Sequence, residues 1–321
     1  MPRSGHPRPL PHCRYPTAED VVQHGLQPLP EVLPLVDFKR AQPHRSRRYA
    51  TVPAARLSPT LVLRLAEVVG TSFARREPQC RHLQPARLPP AGLAESLHTD
   101  RFGSEAFGPW NRERLLYWFI RLIVLTDPSS PRSAVRLSGA ALGQSLAMLN
   151  ERGYVIGGAL NETMPLLDAP PEFRRDDPFL DAVLAFVDPV FALLGAQDAE
   201  ALKALSLAYP QFQKAYAKGK VGHHFMVARS DALPKADAFD LVVATAEHYQ
   251  ALGHAFMVIE ATNQWTGAAC EALGATRVHF APFRAQRTVR QSVEPLDTVT
   301  SPDGFLSRKD SGSMLYVIRL V

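Results

Sequence analysis

The chain has 321 residues, 46% of them apolar, and a formal net charge of +5, enough to bury a sizeable core in one large domain or two small ones. Its three cysteines, Cys13, Cys80 and Cys270, have no metal-ligand spacing, and their odd number argues against a disulfide framework and for a reducing compartment, the cytoplasm. The longest apolar run, Leu115 to Leu125, is broken by Arg121 and too short to span a bilayer, and the N-terminus lacks an apolar signal core, so neither membrane insertion nor export is expected.

Residues 1–48 form a Pro/Arg-rich arm. Eight of the 36 Lys/Arg, four of the 31 Asp/Glu and nine of the 28 prolines lie in the first 50 residues, so most of the excess charge sits where regular helix or sheet is blocked. A disordered or surface-hugging arm is expected. The run His44-Arg45-Ser46-Arg47-Arg48 can touch phosphates, but no aromatic side chains interleave with it to stack on bases, and a solvated basic segment is favoured over a nucleic-acid site.

From Tyr49 a domain begins. Tyr49 to Pro53 reads as a short strand, and Ser58-Pro59 as a helix start with Ser as cap and Pro at the first position. Leu61, Leu65, Val68, Val69 and Phe73 recur at helical spacing, and the helix ends before Pro78. Residues 79–112 read as a long loop with a short helix over Leu93 to His98. Asn111 to Val124 fits either a helix or a buried strand, Gly139 to Glu151 a helix, and Tyr154 to Leu160 a strand whose Gly157-Gly158 pair marks a bulge or a close approach. Two helices follow, Pro178 to Leu194 and Asp198 to Lys218, joined at Gly195-Ala196-Gln197. Next come a strand over Gly222 to Arg229, an amphipathic helix over Ala238 to Leu252, and a strand over His254 to Glu260. Thr262-Asn263 can cap a short helix bearing Trp265, Ala268, Ala269, Ala272 and Leu273, which Gly274 stops before a strand ending near Phe283. The segment after Arg284 is polar until a final strand from Met314 to Val321.

The phrases Asn263, Thr266, Cys270, Leu273-Gly274 resemble the signature N-x-x-A-x-x-x-Y-x-x-x-G-F of the GNAT acyltransferase superfamily in spacing. The order of elements is also similar, and Phe73-Ala74-Arg75-Arg76-Glu77-Pro78 together with Glu271-Ala272-Leu273-Gly274 resembles the arylalkylamine (dopamine-type) N-acetyltransferases. The resemblance spans residues 49–283, with insertions at about 79–150 and 165–219, and leaves 284–321 as a C-terminal extension ending in a strand. It implies an α/β fold: a GNAT-like mixed central sheet with flanking helices, a helical insertion and the N-terminal arm. The strands Val221 to Ala228 and Ala255 to Glu260 should then be adjacent, parallel and splayed at their C-terminal ends.

The implied chemistry is acyl transfer from acetyl-CoA or another acyl-CoA to a small amine. The amine arrives protonated, and a carboxylate such as Glu77 can accept that proton directly or through water. Cys270 stands where many GNAT enzymes place a tyrosine acid and can protonate the leaving thiolate, while Thr262 and Thr266 can relay protons. Alone, each has a plainer reading: Glu77 in an ion pair with its neighbouring arginines, Cys270 as a small core residue, Thr262 as a cap. On the resemblance the cosubstrate site involves Val227, Arg229, Lys235, Ala236, Ala238 and Asn263.

The sequence departs from the family where the pyrophosphate should bind. The expected Q/R-x-x-G-x-G/A turn is replaced by Arg229-Ser230-Asp231-Ala232-Leu233-Pro234-Lys235-Ala236-Asp237-Ala238, which has no glycine, two acids and one missing N–H donor. Two readings stay open: an altered acyl-CoA site in an N-acyltransferase, or a GNAT-like binding or regulatory module without activity. His223 and His224 alternate on a strand and cannot share one metal ion, Cys80-x-His82 is a weak thiol-imidazole pair, and no metal site is expected.

Overall fold

The computed structural model describes residues 38, 49–77, 80, 112–125, 141–166, 178–282, 284–286, 293–295 and 312–320. After a first strand β1 (Ala50–Pro53), helix α1 (Pro59–Arg76) starts where Ser58, in extended backbone, accepts a hydrogen bond from the Leu61 N–H at 3.4 Å. Proline at the first helical position supplies its fixed φ and loses no bond there. The helix stops at Arg76, and Glu77 turns to an extended ψ of 121° ahead of Pro78. Helix α2 (Arg112–Phe119) runs on into a π turn over Ile120–Val124, which resolves the segment as helix. It crosses α1 at Gly70, where an added Cβ would lie 2.8 Å from the Tyr117 backbone nitrogen.

Short helix α3 (Ala141–Gln144) leads to β2 (Leu146–Leu149) and β3 (Val155–Thr163). Long helix α4 (Pro178–Ala208) and α5 (Pro210–Ala217) precede β4 (Val221–Arg229), α6 (Lys235–Ala251), β5 (Phe256–Ala261), α7 (Gln264–Ala272) and β6 (Thr276–Pro282). A separate two-stranded sheet pairs β7 (Arg284–Gln286) with β8 (Val293–Pro295), and β9 (Gly312–Arg319) returns to lie between β5 and β6. The seven-stranded sheet has the order β1-β2-β3-β4-β5-β9-β6, and only β4 and β5 pair in parallel. Parallel neighbours need a crossover, which α6 supplies.

The parallel pair opens partway along. Ladder partners run from Val221 with Phe256 to His224 with Ile259, after which β4 continues to Arg229 without a strand partner on that side. On its other edge β4 slips register against β3, pairing His224 with Asn161 and Met226 with Leu160, so that Phe225 bulges out. An extra residue bends the strand that carries it. The bend therefore falls at the residue where β4 leaves β5, and the expected splay has a local cause.

Alternation along β5 builds both layers. Met257, Ile259 and Ala261 pack with Val242, Val243 and Ala246 of α6 and Ala269 of α7 on one face. Phe256 and Val258 meet Leu202 and Leu205 of α4 and Phe212 of α5 on the other, and α1 and α2 cover the same face over Met226 and Ala228 of β4. Phe38, from the N-terminal arm, is buried in the first of these cores and donates its N–H to the Arg319 carbonyl at 2.7 Å. The arm is thus tied to the domain at that point.

The structure corrects three sequence expectations. The helix over Gly139 to Glu151 is only the four residues of α3, because Leu146, Ala147 and Met148 are buried as a strand between β1 and β3 and sheet pairing overrides their spacing. The two insertion helices are one continuous α4 through Gly195, whose absent side chain has open space around it, and the break comes instead at Tyr209. Helix α6 begins at Lys235 rather than Ala238. At Gly158 an added Cβ would stand 2.3 Å from Leu65 Cδ1, so α1 rides directly on β3, while Ile156 bulges beside it opposite β2. The short helix expected over Leu93 to His98, and all of the arm before Tyr49 except Phe38, lie outside the described residues.

Candidate functional site

Three chain segments end at one place beside the splay: the C-terminus of α1, the C-terminus of β5 and the N-terminus of α7. Glu77, the C-cap of α1, is 6% exposed despite its charge. Its Oε2 accepts a hydrogen bond from the Thr262 hydroxyl at 2.5 Å, and its Oε1 one from the Asn263 side-chain amide at 2.6 Å. Asn263 in turn caps α7, its Oδ1 accepting from the Thr266 N–H at 2.9 Å and the Thr266 hydroxyl at 3.1 Å. Glu77, Thr262, Asn263 and Thr266 therefore form one hydrogen-bonded chain, and all but half-buried Asn263 are buried. The neighbouring arginines are drawn elsewhere. Arg75 pairs with Glu113 of α2 at 2.9 Å, and Arg76 with Asp231 and the Arg229 carbonyl, while Glu77 itself lies buried rather than at the surface. Cys270 is fully buried among Met257, Ile259 and Ala269, one turn along α7 from Thr266.

The segment between β4 and α6 carries the other candidates. Half-buried Val227 lies on β4 beyond the bulge. Arg229 ends β4 and donates to the Leu233 carbonyl at 2.8 Å, closing the loop on itself. Asp231 is held by Arg76, so one of the two acids expected to repel an anion is already paired, while Asp237 remains in the first turn of α6. Pro234, the N-cap of α6, supplies no side-chain cap, and Lys235 and Ala236 are exposed at the helix start. Ala238 instead faces the core at 2% exposure, its N–H taken by the Pro234 carbonyl at 3.1 Å. An exposed helix N-terminus with one lysine is a workable anion cradle even without glycine.

A second polar cluster lies below the split, and no motif or spacing in the sequence points to it. His223 is buried on β4, with Nδ1 3.0 Å from Glu162 Oε1 of β3 and Nε2 3.2 Å from Glu260 Oε2 of β5. Asp198 of α4 completes the group, its ligand atom and those of His223 and Glu260 all lying within 4.8 Å of one another. Burial pulls the His223 imidazole down, but the Glu260 charge, hydrogen bonds to Glu162 and Glu260, and Asp198 outweigh it and raise it well above its ordinary value. Burial, followed by the Glu260 charge, raises the Asp198 carboxyl. His224 faces the opposite side, its Nδ1 2.6 Å from Asn161 Oδ1; burial and then the His223 charge lower it to about 3. The two histidines do point apart, yet His223 alone gathers three carboxylates from α4, β3 and β5. The missing signal was long-range: these acids lie from 25 to 61 positions away from it.

No protein-family model matches the sequence, and no curated protein matches it. Among solved structures, the chain is similar to the C-terminal condensation domain of Ebony in complex with beta-alanyl-dopamine, at 12% identity and a TM-score of 0.49, over 84% of this chain and 98% of that one. It is also similar to arylalkylamine N-acetyltransferase 2 from Aedes aegypti, at 13% identity and a TM-score of 0.44, covering 85% and 99% of the two chains. A third similar structure is a putative arylalkylamine N-acetyltransferase 7 from the yellow fever mosquito, at 10% identity and a TM-score of 0.47, covering 85% and 88%. At these values the likenesses assign no activity or substrate to this chain. The strand order and the opened parallel pair are this structure's own, and they make it an α/β fold like that of the GNAT acyltransferases.

Proposed function

We propose that this chain is a cytoplasmic N-acyltransferase that moves an acyl group from acetyl-CoA or another acyl-CoA directly to a small amine. The observation that carries the reading is the Glu77 carboxylate, buried at the edge of the splay between the Thr262 hydroxyl and the Asn263 amide. A carboxylate held by two donors and shielded from bulk water is placed to take a proton from an incoming ammonium group, leaving a neutral amine to attack a thioester. No enzyme nucleophile is needed. Thr262 and Thr266 extend the chain along which that proton can leave, and Cys270 is the proposed donor to the departing thiolate. The start of α6, with Lys235, Ala236 and Arg229, is the proposed seat of the CoA pyrophosphate, with Val227 and Asn263 along the opened strand edge.

A second reading, a binding or regulatory module without activity, is favoured by one feature: the glycine-free loop is closed on itself by Arg229 and clamped by Arg76. CoA decides between the two. Calorimetric titration with CoA thioesters, followed by thiol-release assays against a panel of primary amines, should give weak binding and amine-dependent thiol release. No heat and no thermal shift at millimolar ligand would overturn the transferase and leave the module.

A further inference from the structure

We infer that Asp198, His223 and Glu260 form a binding site for a divalent cation of the zinc class, which fastens the inserted helix α4 to the sheet just below the point where β4 and β5 part. The three side chains come from α4, β4 and β5 and converge with their ligand atoms within 4.8 Å of one another. Metal–ligand bonds of about 2.0–2.2 Å to imidazole nitrogen and carboxylate oxygen need only a small inward closure from that spacing.

Two observations point to an occupant. Glu260 Oε1 and Asp198 Oδ1 are each buried without a hydrogen-bond partner, the Glu260 side chain being 2% exposed. A buried carboxylate oxygen facing no donor is costly, and two of them in one cluster are costlier. The second observation is the partner of His223 on its far side. Glu162 lies 3.0 Å from Nδ1 and can accept that N–H, while Nε2 points at the acids with Glu260 Oε2 at 3.2 Å; without a metal that nitrogen carries a proton toward Glu260, and a cation would take the proton's place. A carboxylate behind the imidazole and a second ring nitrogen turned to acids in front is the arrangement of metal-bound histidine once the Nε2 proton is displaced. One proton shared between Asp198 and Glu260 would satisfy a single oxygen pair; a cation satisfies Nε2 and both carboxylates together. The mixed nitrogen and oxygen set suits zinc better than magnesium or calcium, which prefer oxygen alone.

The experiment takes the full chain, strips it with a chelator, dialyses the chelator away and titrates with Zn²⁺ alone. Elemental analysis should find one bound equivalent, the melting temperature should rise on loading, and Co²⁺ in its place should give visible absorption of a low-coordinate site. Asp198→Asn and Glu260→Gln, checked for fold by circular dichroism, should abolish the stoichiometric binding. Glu162→Gln, which touches only the far side of the imidazole, should weaken it about 10–100-fold. No bound Zn²⁺ in the stripped and reloaded wild type would overturn the inference in favour of a shared proton. Binding that survives undiminished in both Asp198→Asn and Glu260→Gln would overturn it in favour of histidines elsewhere.

Discussion

Replacing Glu77 by Gln keeps the side chain's shape and removes its proton affinity, which separates catalysis from architecture. In the wild type both carboxylate oxygens accept short hydrogen bonds, from Thr262 at 2.5 Å and Asn263 at 2.6 Å. The amide must keep its oxygen toward Asn263, so its NH2 faces Thr262, whose hydroxyl can turn and accept instead. Two charge-assisted bonds of about 1.5–3 kcal/mol become neutral ones of about 0.5–1.5, while the cost of desolvating a buried charge disappears. These changes oppose, and fold stability should move by only on the order of 1 kcal/mol. Loss of a general base costs about 10²–10⁴ in rate, or about 2.7–5.5 kcal/mol of barrier. The assay is thiol release at saturating acyl-CoA with a cognate amine, run across pH beside a thermal melt and a CoA titration. The expected result is a fall of about a hundredfold or more in kcat, a flattened rise of rate with pH, and unchanged CoA affinity. A kcat within a few-fold of wild type at equal stability would refute Glu77 as the base. An equal loss of CoA affinity would make it an architectural residue of the site.

Three further outcomes test the surrounding structure. Asp231→Asn frees Arg76 at the start of α6 and should tighten CoA about two- to fivefold at low salt; weaker or unchanged binding would remove the anion site from this loop. Gly70→Ala gains about 1 kcal/mol of helix propensity but drives a methyl to 2.8 Å from backbone at Tyr117, where overpacking costs about 1–3 kcal/mol, so urea unfolding should show net destabilisation; a more stable variant would contradict the close α1–α2 crossing. His254 is lowered to about 4 by burial and then by Lys220 and His248, so the unfolded chain binds its extra proton between about pH 4 and 6.5. Its contribution to stability is complete above that window and is lost as pH falls through it, and His254→Gln should flatten that slope in unfolding measured at pH steps across it.

Local chemistry explains which parts of the fold the sequence made legible. The Ser58-Pro59 start, the Asn263 cap and the Gly274 stop are short-range devices, and each stands where the residues place it, Gly274 with a φ of 74°. The short strand β2 is not legible in the sequence because its four residues show no period of their own and owe their state to neighbours at Ala50–Pro53 and Val155–Thr163. The continuity of α4 is hidden in the sequence because Gly195 reads as punctuation, although a glycine inside a long packed helix costs only about 1 kcal/mol. Glu77 shows the same limit at the site. Its neighbours Arg75 and Arg76 suggest a local ion pair, and only the fold reveals that Glu113 and Asp231, 38 and 155 positions away, take those charges.

The splay and the polar groups around it have a common cause. A parallel pair can part only if something bends one strand and something else covers the edges thereby exposed, since buried backbone groups without partners cost free energy. The Phe225 bulge does the bending, and it comes one residue after His224, the last rung shared with β5. Below that rung the strands are held by side chains as well as by the ladder, because His223 bridges Glu162 and Glu260 across three strands. Above it, Glu77 reaches Thr262 and Asn263, fixing the end of β5 and the start of α7 to α1. The opening is therefore bounded by polar contacts on both sides of a bend, and it cannot close by sliding, since a one-residue slip of β5 would turn Glu260 into the apolar layer under α6. Such a gap is preorganised. On the proposed function, a group entering it would find the Glu77 carboxylate already positioned by Thr262 and Asn263, which is the condition under which one proton acceptor contributes its full effect on a reaction.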